Sequence, residues 1–247
     1  MKKSNLSNLL KKLVPDLLKE KIKDHLGVPS QRKSFERLNK MGFRPEVVLD
    51  IGAYEGNWAK DFKKIFPSSQ ILMLEAQISK KDCLSKICGK TPGLSFQIQL
   101  LGASEIQVNF NIYETASSVL SEHHPTGARV EQRTMIQLDH LLTNTLHSKP
   151  DMIKIDTQGY ELEILKGAEQ TLASASAVLL EVSLIDIYKD VPLVDEVMAF
   201  MKTRNFVLFD ICSMIYRPLD QALYQSDFLF IKKDLFLRSD KNWSQKS

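Results

Sequence analysis

The stretch MIKIDTQGYELEILKGA, at residues 152–168, places charged side chains where an apolar strand passes into a helix. Lys154 interrupts the apolar run, Asp156 ends it, and Glu161 follows five residues later. Side chains alternate along a strand, so Lys154 and Asp156 point the same way. A lysine in a buried strand needs a partner, and Asp156 and Glu181 are the candidates. These groups form either a proton-transfer cluster in a pocket wall or a buried ion network that only joins strand to helix.

A second stretch, VVLDIGAYEGNW, begins at residue 47 and places two glycines between a strand and a helix. Gly52 and Gly56 allow a sharp turn and a close approach of backbone to a ligand. The spacing lacks the third glycine of the dinucleotide pattern G-x-G-x-x-G. Asp50, just before the turn, would repel a pyrophosphate and suits a positively charged ligand.

Strands alternate with helices along most of the chain, which predicts parallel strand–helix–strand units. Ligands of such sheets bind beyond the carboxyl ends of the strands. Polar residues stand at or just after five of the predicted strand ends: Asp50, Glu75, Ser104, Asp156 and Glu181. The predicted strands of the main sheet cover residues 47–52, 71–76, 94–102, 151–156, 177–183, 206–212 and 227–233.

Residues 104–139 depart from the alternation of strands and helices, and we interpret them as an insertion. Two half-exposed strands, at 107–113 and 133–139, flank a polar loop, and residues 115–132 are our candidate lid. His123 and His124 lie in this loop, where solvated histidines are commoner than catalytic ones.

The sequence VLDIGAYEG resembles the first motif of class I S-adenosylmethionine-dependent methyltransferases. Residues 152–168 resemble the second signature of the FkbM-type family among them, whose usual form is close to I-K-I-D-V-E-G-x-E-x-x-x-L-x-G-A. The resemblance extends from about residue 41 to residue 233, through TMIQLD, LLEVS and DFLFIKK. It implies a Rossmann-like, doubly wound α/β sheet of seven strands, mostly parallel with the last strand antiparallel.

The resemblance also implies the cofactor S-adenosyl-L-methionine and a site for it. Asp50 and the loop Gly52, Ala53, Tyr54, Glu55 and Gly56 would lie near its methionine part. Glu75, followed by Ala76, would bind both ribose hydroxyls, Ser104 would lie near the adenine, and Asp156 would end beside the cofactor. The implied reaction is O-methylation of a hydroxyl on a sugar, glycan or secondary metabolite. Asp156 or Glu161 would be the general base, with Lys154 setting its charge or orienting the acceptor.

Two departures from the family pattern leave alternatives open. Gln158 stands where glutamate is usual, and Ala76 stands where proline often follows the acidic residue. A role that needs a negative charge at 158 is in doubt, whereas a hydrogen-bonding role survives. One alternative is a catalytically impaired domain that binds a glycan or a protein. Another is a nucleotide-cofactor oxidoreductase on a similar sheet, against which the missing third glycine counts.

The bulk properties exclude several classes of protein. A net charge of +3 over 247 residues gives no argument for nucleic acid. Three cysteines and no apolar run of membrane-spanning length predict reduced thiols and a cytoplasmic protein. Asp156 and Glu161 could hold a divalent cation, but no third ligand has a convincing position, so we predict no metal.

The N-terminal segment has a different character from the rest. Leucines repeat at helical spacing among lysines over residues 6–17, and Pro15 divides the pattern. We interpret it as a helical cap on the main domain, while weak contact with an anionic membrane surface stays open. The predicted division is a helical extension at 1–42, a methyltransferase domain at 43–235 and a polar tail at 236–247.

Overall fold

A computed structural model of the protein describes residues 25–113, 117–123, 127 and 129–244. The leucine-lysine pattern of residues 6–17 therefore lies outside the described residues. The strands are β1 (Val47–Ile51), β2 (Gln70–Glu75), β3 (Leu94–Ile98), β4 (Leu100–Leu101), β5 (Ile106–Ile112), β6 (Arg129–Ile136), β7 (Met152–Ile155), β8 (Ala177–Ser183), β9 (Phe206–Ile211), β10 (Ile215–Tyr216) and β11 (Leu223–Lys232). The α-helices are α1 (Gln31–Lys40), α2 (Asn57–Ile65), α3 (Lys81–Lys90), α4 (Leu138–Leu142), α5 (Glu161–Lys166), α6 (Glu169–Ser174) and α7 (Val194–Thr203).

The main sheet has the order β10-β11-β8-β7-β1-β2-β3, with β9 also paired to β11. Strands β3, β2, β1, β7 and β8 are parallel to one another. Strand β11 runs antiparallel to β8 on one edge and to β9 and β10 on the other. The predicted Rossmann-like sheet with an antiparallel last strand is confirmed, and the short β10 is an eighth strand that the sequence did not predict.

Buried side chains cover both faces of this sheet, as a doubly wound fold requires. On one face Phe35 of α1 and Phe62 of α2 pack against Val48 and Met73. On the other face Leu49 and Ile153 contribute to a second core cluster with residues from α4 to α7. Alternation along β1 therefore sends its even-numbered residues, Asp50 included, toward α1 and α2.

Helix α1 is joined to the sheet by polar contacts as well as by its apolar side. Gln31 accepts a hydrogen bond from the indole of Trp58 at 2.8 Å and donates one to Asp227 at 2.7 Å. Leu38 is fully buried. Beyond β11, Leu237 packs into the same cluster, two residues past the boundary predicted at 235. Residues of the predicted extension and tail thus contribute to the core of the main domain.

Three predicted elements have different bounds in the structure. The strand predicted at 94–102 is two strands, because β4 leaves the main sheet after Gln99 and pairs with β6. The strand predicted at 133–139 ends at Ile136, and α4 begins at Leu138. The helix predicted at 160–173 is divided at Gly167, where a Cβ atom would lie 2.1 Å from the carbonyl oxygen of Gly102. This close approach of two backbones leaves no room for a side chain at residue 167.

Candidate active site

The turn after β1 lies directly against the end of β7. Gly52 has a φ of +75°, and a Cβ atom there would come within 1.9 Å of the carbonyl oxygen of Asp156. The backbone N–H groups of Gly52 and Ala53 both donate to the carbonyl oxygen of Leu74, at the end of β2. Only glycine fits this position, since it needs both the left-handed conformation and the missing side chain. The three strand ends are thereby held around one point.

Glu75 ends β2 and organises the adjoining loops. Its Oε2 accepts a hydrogen bond from the backbone N–H of Tyr54 at 2.7 Å, and its Oε1 accepts one from Gln77 at 2.8 Å. Burial raises the pKa of the Glu75 carboxyl, and these hydrogen bonds oppose the rise. Each carboxylate oxygen has a further lone pair to offer, so Glu75 can still accept two hydroxyl groups of a ligand.

A cavity of about 240 Å³ opens at these strand ends. Of the predicted cofactor residues, the cavity wall contains Gly52, Tyr54, Glu75, Ala76 and Asp156. The wall also contains residues that the sequence did not single out, among them Gln77, Gln99, Leu100, Leu101, Phe110, Ser118 and Ile164. The predicted residues outside the wall are Asp50, Ala53, Glu55, Gly56, Ser104, Lys154 and Glu161. The bend after β3 thus places Gln99 and Leu100, rather than Ser104, beside the cavity.

Lys154 lies behind the cavity wall among carboxylates. Its Nζ is 3.1 Å from Oδ1 of Asp50, 3.6 Å from Oδ2 of Asp156 and 3.0 Å from the carbonyl oxygen of Gly52. Asp50 is therefore a closer partner of Lys154 than Asp156 or Glu181, the two partners predicted from the sequence. Burial alone would lower the pKa of Lys154, but Asp50 and Asp156 outweigh burial and raise that pKa. Lys154 thus remains a buried cation beside the site.

Asp50 is fully buried, and its contact with Lys154 is an ion pair outside hydrogen-bond geometry. Within the described part of the chain, neither carboxylate oxygen of Asp50 accepts a hydrogen bond. Burial raises the pKa of Asp50, and Lys154 opposes part of that rise. Asp156 differs, because 39% of its side chain is exposed. Asp156 is the acidic end of this network that a ligand can reach.

Glu161 faces the loop that follows β7. Its Oε1 accepts hydrogen bonds from the N–H groups of Thr157 at 2.8 Å and Gly159 at 3.1 Å, and from the Thr157 hydroxyl at 3.2 Å. The side chain is buried and lies outside the cavity wall. Burial raises the pKa of Glu161 to about 7, against the pull of these hydrogen bonds. Glu161 therefore supports the loop that carries Asp156, and its catalytic role stays a prediction.

We expect Glu161→Gln to reduce the pH dependence of stability. The folded pKa of about 7 lies above the ordinary 4.5, so the folded state retains a proton that the unfolded chain releases. The stability contributed by this carboxyl is complete below about pH 4.5 and is lost as the pH rises to about 7. Glutamine keeps the accepting oxygen and does not titrate. Melting temperatures from pH 5 to pH 8 should fall less in the variant, and parallel curves would contradict this.

The predicted lid is described in part. Residues 117–123 contact the segment after β8, where the N–H of Lys189 donates to Ser121 at 2.9 Å and that of His123 donates to Ile187 at 3.1 Å. Ser117 and Ser118 reach the cavity wall. His124 lies outside the described residues. Part of the predicted loop therefore lies in the wall of the site, and its role as a lid stays a prediction.

Two absences hold for the described residues. Across 25–113, 117–123, 127 and 129–244, no three or more histidine, cysteine or acidic side chains are grouped to hold a metal ion. In the same residues, no helix has the length and apolarity needed to cross a membrane.

The sheet order, the glycine turn after β1 and the acidic end of β2 define a Rossmann-like methyltransferase fold. The sequence model of the family described as "Methyltransferase FkbM domain" matches residues 50–208. Because this match covers more than half of the chain, the protein belongs to the FkbM methyltransferase family. No curated protein matches the chain significantly.

Several solved structures are similar to this one at low sequence identity. A precorrin-6y C5,15-methyltransferase from Geobacter metallireducens GS-15 has 12% identity and a TM-score of 0.48, covering 82% of this chain and 87% of that one. A methyltransferase FkbM from Methylobacillus flagellatus KT has 16% identity and a TM-score of 0.48, covering 75% of this chain but 43% of its own. M. capricolum TrmK in complex with S-adenosyl-homocysteine has 12% identity and a TM-score of 0.49, covering 82% and 67%.

Proposed function

We propose that the protein is an S-adenosylmethionine-dependent O-methyltransferase that acts on a hydroxyl of a sugar, a glycan or a secondary metabolite. One observation carries this proposal: Gly52, Glu75 and Asp156, from three neighbouring strand ends, line one cavity. The family membership of residues 50–208 supports methyl transfer. The hydroxyl acceptor rests on the carboxylate of Asp156, which is exposed in the cavity and able to accept a proton.

The residues present fit this cofactor. Glu75 has two unused acceptor positions for a pair of ribose hydroxyls. Gly52 lets the backbone of the turn pack directly on Asp156, because a Cβ atom there would lie 1.9 Å from the carbonyl oxygen of Asp156. The acidic surroundings of the turn suit the positive charges of an ammonium and a sulfonium. Leu100 and Leu101 offer an apolar wall for a flat ring. When bound, the cofactor supplies an electrophilic methyl group on its sulfonium.

The protein's own residues would align the acceptor and take its proton. Asp156 would accept the proton of the acceptor hydroxyl. Lys154, 3.6 Å from Oδ2 of Asp156, orients that carboxylate and balances its charge. Apolar residues such as Phe110 and Ile164 exclude water from the same wall. Alignment and exclusion of water supply the rest of the rate enhancement.

A labelling experiment tests the acceptor class. The protein is incubated with methyl-labelled S-adenosylmethionine and a panel of free sugars, nucleotide sugars and phenols. The proposal expects label in a methyl ether, which survives mild alkali, whereas a carboxyl methyl ester is hydrolysed by it. Label confined to amines, carboxyl groups or the bases of RNA added as a further acceptor would contradict the hydroxyl proposal.

A further inference from the structure

Gln158 has an unusual backbone conformation at the mouth of the site. Its φ is +57°, in the left-handed region that residues with a Cβ atom seldom adopt. The hydroxyl of Ser118 donates to the carbonyl oxygen of Gln158 at 3.0 Å. Gly159 follows with a φ of +95°, and a Cβ there would lie 2.7 Å from Val191. The surrounding segments therefore hold this strained turn in place.

The turn directs the Gln158 amide at two carboxyl groups from adjacent strands. Its Nε2 donates to Oδ1 of Asp156 at 3.2 Å and to Oε2 of Glu181 at 2.8 Å. Both N–H groups of the amide are therefore used. A second amide, that of Gln225, donates to the same Oε2 of Glu181 at 3.1 Å. One neutral side chain thus connects the exposed carboxylate of the cavity to a buried one behind it.

Glu181 relies on such donors because no described cation forms an ion pair with it. In the part of the chain that the structure describes, no lysine, arginine or histidine forms an ion pair with Glu181, and the residue is 9% exposed. The nearby cation, Lys154, pairs with Asp50 and Asp156 instead. Burial, followed by the charge of Asp156, raises the pKa of Glu181 well above its ordinary value. Two carboxyl groups this close repel each other when both are ionised, and a proton on Glu181, the amide donors or a bound cation can offset that repulsion.

We propose that Gln158 is a positioning residue whose amide bridges Asp156 and Glu181, in the place that a cation would otherwise take. The bridge aims the Asp156 carboxylate at the cavity and leaves its Oδ2 beside Lys154. A glutamate at position 158 would bring three carboxyl groups together. Such a cluster would attract a cation, which the neutral amide does not. The expected effect on turnover rests on the proposed methyl transfer, whereas the bridge itself does not.

Gln158→Glu tests the bridge without any substrate, since it keeps the shape and replaces the amide donors with a carboxylate. We expect the melting temperature at pH 8 in chelator to fall by roughly 3–8 °C, on the scale expected for a lost buried contact. Addition of millimolar CaCl2 should recover at least half of that loss and leave the wild type unchanged. Gln107→Glu is the matched control, because its amide donates to Thr134 on an exposed strand. This control should show neither the loss nor the calcium response.

The same variant tests positioning once turnover is measurable. We expect kcat to fall at least tenfold, with KM for S-adenosylmethionine changed less than threefold. A Gln158→Glu protein that melts like Gln107→Glu, or whose loss of stability does not respond to calcium, overturns the bridge. An unchanged kcat in a calcium-responsive variant overturns the positioning role. A wild type without methyl transfer would contradict the proposed function, and the melting temperatures would still decide the bridge.

Discussion

Replacing Lys154 with methionine is expected to lower the free energy of unfolding by about 3–5 kcal/mol, because it leaves a buried carboxylate without its counter-charge. Asp50 is fully buried, and its Oδ1 lies 3.1 Å from Nζ of Lys154. Methionine occupies much of the volume of the lysine stem, so lost packing contributes less. Urea unfolding followed by tryptophan fluorescence measures the change. The deficit should grow as the pH rises, since the folded pKa of Asp50 already lies above its ordinary value and loses an opposing charge.

The double variant Asp50→Asn with Lys154→Met is the matched control for this prediction. It removes both charges at once and leaves no unpaired ion in the core. We expect it to recover at least half of the stability that Lys154→Met alone loses. A double variant that is as unstable as the single one, at every pH, would show that the ion pair is not the source of the loss.

Asp156→Asn is expected to lower kcat by a factor of roughly 10² to 10⁴, the range that general-base catalysis contributes. Asparagine has nearly the same shape, but it cannot take the proton of an acceptor hydroxyl. The side chain is exposed by 39%, so the change leaves the fold intact. Initial rates at saturating cofactor measure kcat, and the melting temperature of each protein checks its folding.

Asp234→Asn provides the comparison for this loss. Asp234 is exposed and follows β11. Because β11 is antiparallel to β8, this position lies at the end of the strands that is farther from the cavity. The same chemical change there should leave kcat within twofold of the wild type. If Asp156→Asn also retains kcat within a few-fold, Asp156 is not the base, and Glu161 or a lid residue would have to take that role.

Much of the fold follows from local patterns in the sequence. The seven predicted strands are all present, because runs such as VVLDI and AVLLEVS are apolar enough to be buried on both faces. The predicted bounds of helices and strands were wrong where contacts between distant residues override the local hydrophobic pattern. The predicted helix is divided at Gly167, whose backbone packs on Gly102, and the run 94–102 divides at Gln99 because its last residues pair with β6. These contacts join distant parts of the chain, so local periodicity does not reveal them.

The partner of Lys154 illustrates what a sequence leaves open at a site. Alternation correctly put Lys154 and Asp156 on one face, yet the closest carboxylate is Asp50 on the neighbouring strand. Register decides this, since Asp50 and Lys154 are paired directly across β1 and β7. The order of strands in a parallel sheet is set by crossovers and packing rather than by residues near either strand. Knowledge of both order and register would have identified the pair.

The residues that line the cavity also include some that the sequence alone does not reveal. Gly52, Glu75 and Asp156 were predicted because they stand at or just after strand ends and match positions that the methyltransferase resemblance assigns to the cofactor. Gln99 and Leu100 were not, because their place depends on the bend that separates β3 from β4. Gln158 was noted only as a departure from the family motif, and its two carboxyl partners appear only in three dimensions.

The most direct test of the central claim is a calorimetric titration of the protein with S-adenosylhomocysteine, repeated for Glu75→Gln and Glu163→Gln. Glu75 offers its remaining acceptor positions to the cavity, whereas Glu163 lies on the surface of α5 beside Lys166. The account predicts saturable binding to the wild type and to Glu163→Gln. For Glu75→Gln it predicts binding weaker by about 1.5–3 kcal/mol, the scale of a hydrogen bond to a charged group. Equal binding by all three folded proteins would place the cofactor elsewhere, and no binding to any of them would contradict the methyltransferase site itself.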